Sequence, residues 1–331
     1  MKITVLYNKP AARFTTHSKN VEAEEDTEES AEEVVAALKE KGAVVSLVPI
    51  TEKKIPQTVS TLPDDLIFNL IEWTGRDAKY AAQTYDLLDA RGLTYTGATK
   101  DNYFLSCDKV AMKRRLDAGG FPTAPWQQFI IGDEPVREDL PFPVIVKVSL
   151  EHSSVGLSKD AVIDAPGKLS GFVKKQIAAF RQPVLAEQFL TGREFQVTLL
   201  EKASGLTVLP PAEVIYTKKT NVPFLTYESR WNADHPDFQN STVELAVLSD
   251  RLADNLDRMS RGVFMTMGYR DYARFDIRCL GETPMFLEVN SNPGLSDDEQ
   301  YGMTVSYKAL GMSFADFVWE IVQSALRRKN V

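Results

Sequence analysis

The stretch that most limits what this chain can fold into is Tyr272–Leu295, YARFDIRCLGETPMFLEVNSNPGL. Two β-rich runs, Ala273–Cys279 and Pro284–Asn290, flank the turn signal Gly281-Glu282-Thr283, which predicts a β-hairpin. A turn centred on Glu282 sets Asp276 opposite Glu288 and Arg274 opposite Asn290. Strand alternation then puts these four on one face and Phe275, Ile277, Leu287 and Val289 on the other. One face reads as core; the other carries two carboxylates, an amide and a guanidinium. Carboxylate oxygens suit hard cations such as Mg2+, which keeps waters and shares its site with a nucleotide's phosphates. The arginine cannot deprotonate, so it can hold a phosphate or a developing oxyanion beside the metal. The plainer alternative is a solvated hairpin face with surface ion pairs of little worth. The rest of the chain weighs against that alternative.

Alternating helical and strand patterns argue for an α/β (α+β) protein, and 331 residues, 44% of them hydrophobic, suffice for two or three domains. A formal net charge of −8 disfavours a general nucleic-acid binder. Cys107 and Cys279 lie far apart without metal-ligand spacing and read as buried thiols of a reducing compartment. Met1–Tyr7 is too short an apolar run for a signal peptide, and no run reaches membrane-spanning length, so a soluble, cytoplasmic protein is expected.

Lys2–Tyr7, Val44–Ile50, Leu66–Leu70 and Leu93–Thr96 read as strands, with helices over Ala31–Lys41 and Ala78–Ala90. Residues 1–100 are thus expected to form an open, mostly parallel α/β unit. The acidic run Glu22–Glu33 reads as a solvated helix start. Neither GxGxxG nor GxxxxGK[ST] occurs, which excludes the dinucleotide fingerprint and the P-loop. Lys109 falls inside a predicted helix, Tyr103–Ala118. Phe142–Ser149 is a dense strand with Lys147 among valines, where a lysine either snorkels or meets an anion. The following Glu151-His152-Ser153-Ser154-Val155-Gly156 suits a loop whose backbone N–H groups cradle phosphate, or a plain turn. Val184–Leu200 reads as strand, Gly192 turn, strand. Phe224–Trp231 reads as a loop able to fold over a ligand, and Ser241–Met267 as mainly helix. Ser313-Phe314-Ala315-Asp316 is a capping-box pattern opening a structural helix.

In this order the pieces resemble the ATP-grasp superfamily, most closely its D-alanine–D-alanine ligase-like branch. The resemblance rests on LTYTGATKDNYFLSCDKVAMKRRL (Leu93–Leu116), VIVKVSLEHSSVGLSK (Val144–Lys159), VLAEQFLTGREFQV (Val184–Val197) and ARFDIR…FLEVNSNPGLS, and covers roughly residues 60–330. It implies an N-terminal α/β domain (1–100), a small central lid (101–190) and a C-terminal ATP-grasp unit (191–331), with ATP between the last two. It implies that Lys109 and Lys147 grip ATP phosphates under the Ser153, Ser154, Val155 and Gly156 loop. Glu187 would take the adenine amine, the backbone at Phe189 and Leu190 would meet the ring, Glu194 would hold the ribose, and Arg230 belongs to the nucleotide-binding set. Asp276, Glu288 and Asn290 would bind two Mg2+, with Mn2+ as a substitute. Arg274, Lys147 and Ser153 make the implied catalytic set, Arg274 stabilising the oxyanion. The implied reaction joins a small-molecule carboxylate to an amine through an acyl phosphate, releasing ADP and phosphate; a homodimer is the implied assembly. A non-catalytic nucleotide-binding or regulatory protein on the same fold, and a true D-alanine–D-alanine ligase, are the alternatives.

The departures from the branch fall on substrate positions. Tyr7–Arg13 replaces the loop whose glutamate holds the first substrate's amine, and Lys9 and Arg13 suit an anion or a solvent-exposed surface. Glu299 and Gln300, after Asp297 and Asp298, stand where a Ser-Leu pair grips the second carboxylate. They suit a cationic acceptor or an ordinary helix start. Tyr227–Trp231 replaces a Lys-Tyr ending in the lid, His152 replaces a loop glycine, and Asn69–Trp73 replaces a His-Gly stretch. Persisting ATP chemistry on substrates other than two D-alanines is the expectation.

Overall fold

The computed structural model describes residues 1–9, 21–63, 65–217, 223–232, 234–238 and 240–329, the side chains of 21–26 and 231 excepted. Arg13 therefore lies outside the described residues, as does most of the loop read at its position. The first region runs β1 (Lys2–Asn8), α1 (Val21–Glu40), β2 (Val44–Ile50), α2 (Ile55–Thr61), β3 (Leu66–Leu70), α3 (Ala78–Ala90), α4 (Lys100–Cys107) and α5 (Lys109–Ala118). Its sheet has the order β2-β1-β3, all parallel. β1 is buried along nearly its whole length, as expected of a central parallel strand covered on both faces. Leu93–Thr96 forms only an isolated bridge, Tyr95 to Ile67.

The second region holds β4 (Trp126–Phe129), β5 (Val144–Val148), β6 (Val162–Ile163), α6 (Pro166–Phe180) and β7 (Val184–Gln188), in an antiparallel sheet ordered β4-β7-β5-β6. The third comprises β8 (Glu194–Lys202), β9 (Gly205–Val208), β10 (Ala212–Tyr216), α7 (Tyr227–Trp231), β11 (Ser241–Leu245), α8 (Asp250–Met267), β12 (Tyr272–Leu280), β13 (Thr283–Asn290), α9 (Gly302–Lys308) and α10 (Phe314–Lys329). Its six-stranded antiparallel sheet runs β11-β10-β8-β12-β13, with β9 on β8. Helix α8 sets Leu252, Leu256, Val263, Phe264 and Met267 on one face, against Phe195, Val197, Phe275, Ile277 and Phe286 of that sheet. Helix α10 opens with the capping box read from sequence, Ser313 and Asp316 exchanging bonds. Its apolar face shares a core with β1, β3 and α1, tying the two ends of the chain together.

Several local readings need correction. The helix expected over Tyr103–Ala118 breaks at Asp108, whose side chain caps α5 by accepting from the Val110 and Ala111 amides; Lys109 thus starts a helix. Ser241–Leu245 is a strand, because it pairs with β10, and the helix begins only at Asp250. Part of the expected loop Phe224–Trp231 is the short helix α7, capped by Thr226 and Ser229. Trp126, the last residue of the Pro-containing stretch Phe121–Trp126, is the first residue of β4, which pairs with β7.

No helix among the described residues is long and apolar enough to cross a membrane. Both cysteines are free and buried. Burial pushes the Cys107 thiol up to about 12 and that of Cys279 up to about 11. At pH 8 a thiol reagent is accordingly expected to leave both untouched in the native protein and to label both after unfolding; rapid labelling of the native chain would contradict this burial.

Candidate active site

The hairpin β12–β13 pairs Arg274 with Asn290 and Asp276 with Glu288, the two pairs expected from sequence. The tip, however, closes one residue tighter, Leu280 opposite Thr283, and a β-bulge between Asp276 and Ile277 absorbs the difference. Leu287 is the extra residue. It lines the cavity, while Phe286 takes the core position expected for Leu287. Next to the hairpin, β8 places Glu194 opposite Arg278 and Gln196 opposite Asp276. The face away from α8 thereby gathers Glu194, Gln196, Arg274, Asp276, Arg278, Glu288 and Asn290 over one cavity.

The β4–β7 sheet supplies the opposite wall. Lys147 on β5 and Glu187 on β7 are both buried, 2.7 Å apart. Lys147 thus has an anionic partner, and it is a protein carboxylate. The second oxygen of Glu187 meets Lys113 Nζ at 2.6 Å; Lys113 is wholly buried and also donates to the Phe286 carbonyl and to Thr123. Burial alone would raise the Glu187 carboxyl, but Lys113 and Lys147 outweigh it and hold it below its ordinary value. Sequence reading does not single out Lys113.

Two more pairs complete the charge pattern. Lys109 Nζ lies 3.2 Å from Glu288 Oε1 and donates to the Glu151 carbonyl. Arg274 embraces Asp276, Nε to Oδ1 at 2.9 Å and Nη2 to Oδ2 at 3.1 Å, and Asn290 approaches Asp276 at 3.4 Å. Against the burial that would raise it, Glu288 is held well below the usual carboxylate range by Lys109 and Lys147. Burial pushes Asp276 up, with Arg274 offsetting only part. Lys109, Lys113, Lys147 and Arg274 against Glu187, Asp276 and Glu288 leave one net positive charge.

The loop after β5 carries Ser153 and Ser154 at φ 55° and 61°, a left-handed backbone that non-glycine residues seldom hold outside functional loops. Gly156 follows at φ 78°, where a Cβ would press on Val148 and Phe180. Ser153, Ser154, Val155, Phe189, Leu190 and Arg230 join the residues above in lining the cavity; Gly156 does not. His152 lines it too, its buried Nε2 without a hydrogen-bond partner, and burial together with Lys109 pushes the imidazole down to about 4.

The substrate-side expectations fare differently. Lys9 is paired with Glu28 at 2.7 Å, both half-exposed. Asp297 accepts from Tyr307 at 2.7 Å, Glu299 is exposed and reaches Lys308 at 3.4 Å, and neither lines the cavity; Tyr301 does, with Glu72 and Thr74. Glu299 is thus a solvated group ahead of α9, outside the lining of the cavity.

Residues 116–323 match the family model described as the D-ala D-ala ligase C-terminus. The chain belongs to that family. It is an ATP-grasp protein of the D-alanine–D-alanine ligase-like branch. The uncharacterised protein y4sG of Sinorhizobium fredii is 30% identical over 90% of this chain and 88% of its own length. The D-alanine–D-alanine ligase of Desulforudis audaxviator is 28% identical over 89% and 92%. The D-alanine–D-alanine ligase of Bacillus anthracis complexed with ATP superposes over 100% of this chain and 99% of that one, with a TM-score of 0.74 at 18% identity, which bears on the fold.

Proposed function

We propose that this ATP-grasp ligase is an ATP- and Mg2+-dependent carboxylate–amine ligase. A carboxylate oxygen of the first substrate attacks the γ-phosphorus of ATP, the β–γ bridge breaks, and ADP leaves. The amine of the second attacks the acyl carbon, the bond to phosphate breaks, and an amide forms with loss of one amine proton. The observation that carries the proposal is the convergence of Lys109, Lys147, Arg274, Asp276, Glu288 and Asn290 on one cavity.

On this reading Lys109 and Lys147 grip the phosphates beneath the Ser153–Gly156 loop, with Ser153 and Arg230 beside them. Glu187, Phe189 and Leu190 receive the adenine and Glu194 the ribose. Among the described residues no group of three or more His, Cys, Asp or Glu is placed to hold a metal. Two carboxylates and an amide nevertheless suit Mg2+, which completes its shell with waters and phosphate oxygens; Mn2+ is an alternative ion. Bound there, it would neutralise charge on the transferring phosphoryl group. Arg274, two residues from Asp276, would steady the tetrahedral oxyanion. The units proposed are 1–100, 101–190 and 191–331, with ATP between the last two.

Substrates other than two D-alanines form part of the proposal. Its support is that Glu72 and His152, both at positions that depart from the D-alanine–D-alanine ligases, line the cavity. The cationic-acceptor role considered for Glu299 is not carried forward. A non-catalytic nucleotide binder would have no use for paired carboxylates with an arginine against them. The test is ADP release with Mg2+ across a panel of acids and amines, D-alanine included. Release that requires both an acid and an amine supports ligation. AMP and pyrophosphate as products overturn the mechanism, and efficient use of D-alanine in both roles overturns the substrate reading.

A further inference from the structure

Arg278 stands outside every role given so far, although it lies on β12 two residues beyond Asp276 and faces the same cavity. Its guanidinium is almost fully buried, with 4% of the side chain exposed. Nε and Nη2 donate to one oxygen of Glu194, Oε2, at 2.9 and 2.5 Å. Nη1 donates to the Leu190 carbonyl, and Nη2 also to the Pro223 carbonyl. Tyr216 donates its hydroxyl to the same Oε2 at 2.8 Å. The guanidinium lies 5.6 Å from the Phe189 ring centroid and 5.7 Å from that of Tyr216, and Phe189 meets Phe224 edge-on. One planar donor fork thus joins the turn between β7 and β8, the carboxylate on β8 and the start of the covering segment at Pro223–Leu225. A lysine, with one compact ammonium, cannot span these acceptors.

We infer that Arg278 is a positioning residue for ribose recognition: by fixing Oε2 of Glu194 it leaves Oε1 as the oxygen that accepts from the ribose hydroxyls, while holding the Leu190 turn and the Pro223 segment around the base. The inference rests on the reading of the cavity as an ATP site. A carboxylate free to rotate accepts equally well from water and reads the sugar poorly; a carboxylate locked at one oxygen by three donors, two of them from Arg278, offers the other in a single direction. Arg278 therefore acts on selectivity between sugars, whereas a residue of merely structural value would weaken all nucleotides alike.

The experiment is calorimetric titration of the full chain, with Mg2+, by ADP, 2′-deoxyADP and 3′-deoxyADP, which needs no knowledge of the acid or amine. Wild type is expected to bind ADP roughly tenfold more tightly than at least one deoxy analogue, the scale of one hydrogen bond to a charged acceptor. Arg278→Gln is expected to bring that ratio to within about a factor of two, as is Glu194→Gln. Arg278→Lys, which keeps the charge, is the second variant should Arg278→Gln fail to fold, and is expected to lose the ratio too. A wild-type ratio near one, or a wild-type ratio retained in the folded Arg278 variants, overturns the inference while leaving the ATP reading intact. No binding of ADP by wild type overturns the ATP reading and the inference with it.

Discussion

Replacing Asp276 by Asn, or Glu288 by Gln, is expected to leave a folded protein that has lost nearly all ligation. Both side chains lie on the cavity face of the hairpin, away from the α8 core, so circular dichroism should change little. Each change removes one negative oxygen donor from the proposed metal set. A metal that neutralises a transferring phosphoryl group contributes several kcal/mol to lowering the barrier, so turnover should fall by about a thousandfold or more. The assay is ADP release at saturating Mg2+ with the best acid and amine found. Turnover within about tenfold of wild type in either variant would show that the hairpin does not carry the metal.

The second large effect is expected at Lys113, in stability. Lys113→Met strips Glu187 of one of its two cations in a place that water does not reach. Removing one partner from a buried ion pair costs about 3–5 kcal/mol, because the remaining charge keeps its desolvation penalty. Urea unfolding should report a loss of that order. Arg114→Met on the exposed side of the same helix should stay within about 0.5 kcal/mol of wild type. Equal behaviour of the two variants would mean that Glu187 is satisfied without Lys113.

Much of the architecture is legible in the sequence because its signals are local. The hairpin residues alternate, Gly281 marks the turn, and Ser313 and Asp316 spell out a cap within four positions. Even the pairing of Asp276 with Glu288 follows from sequence, though for an incomplete reason. The tight tip alone would slide Asp276 past its partner, and only the bulge at Leu287 restores it. Lys113 could not be read, since KVAMKRRL is an ordinary basic helix segment until Glu187 and Phe286 close over it from distant strands. Arg278 is different: the alternation that selects Arg274 and Asp276 extends to it, so its face was legible and only its partners were not. The acids at 297–299 lie exposed and outside the cavity lining, an orientation that their place in the sequence does not reveal.

The paired charges of the cavity impose a rule of entry. Lys109 holds Glu288 and Arg274 holds Asp276, so under the proposed assignment both carboxylates meant for metal are engaged to cations meant for the phosphate and the oxyanion, while Lys147 is held by Glu187. A triphosphate arriving alone would draw off the cations and strand two carboxylates in a buried space; a divalent ion arriving alone would strand the cations. Each guest releases the partner that the other needs. Metal and nucleotide are then linked reciprocally, each raising the site's affinity for the other by the same factor, and the exchange of partners is best made in one event, by the metal–nucleotide complex already formed in solution.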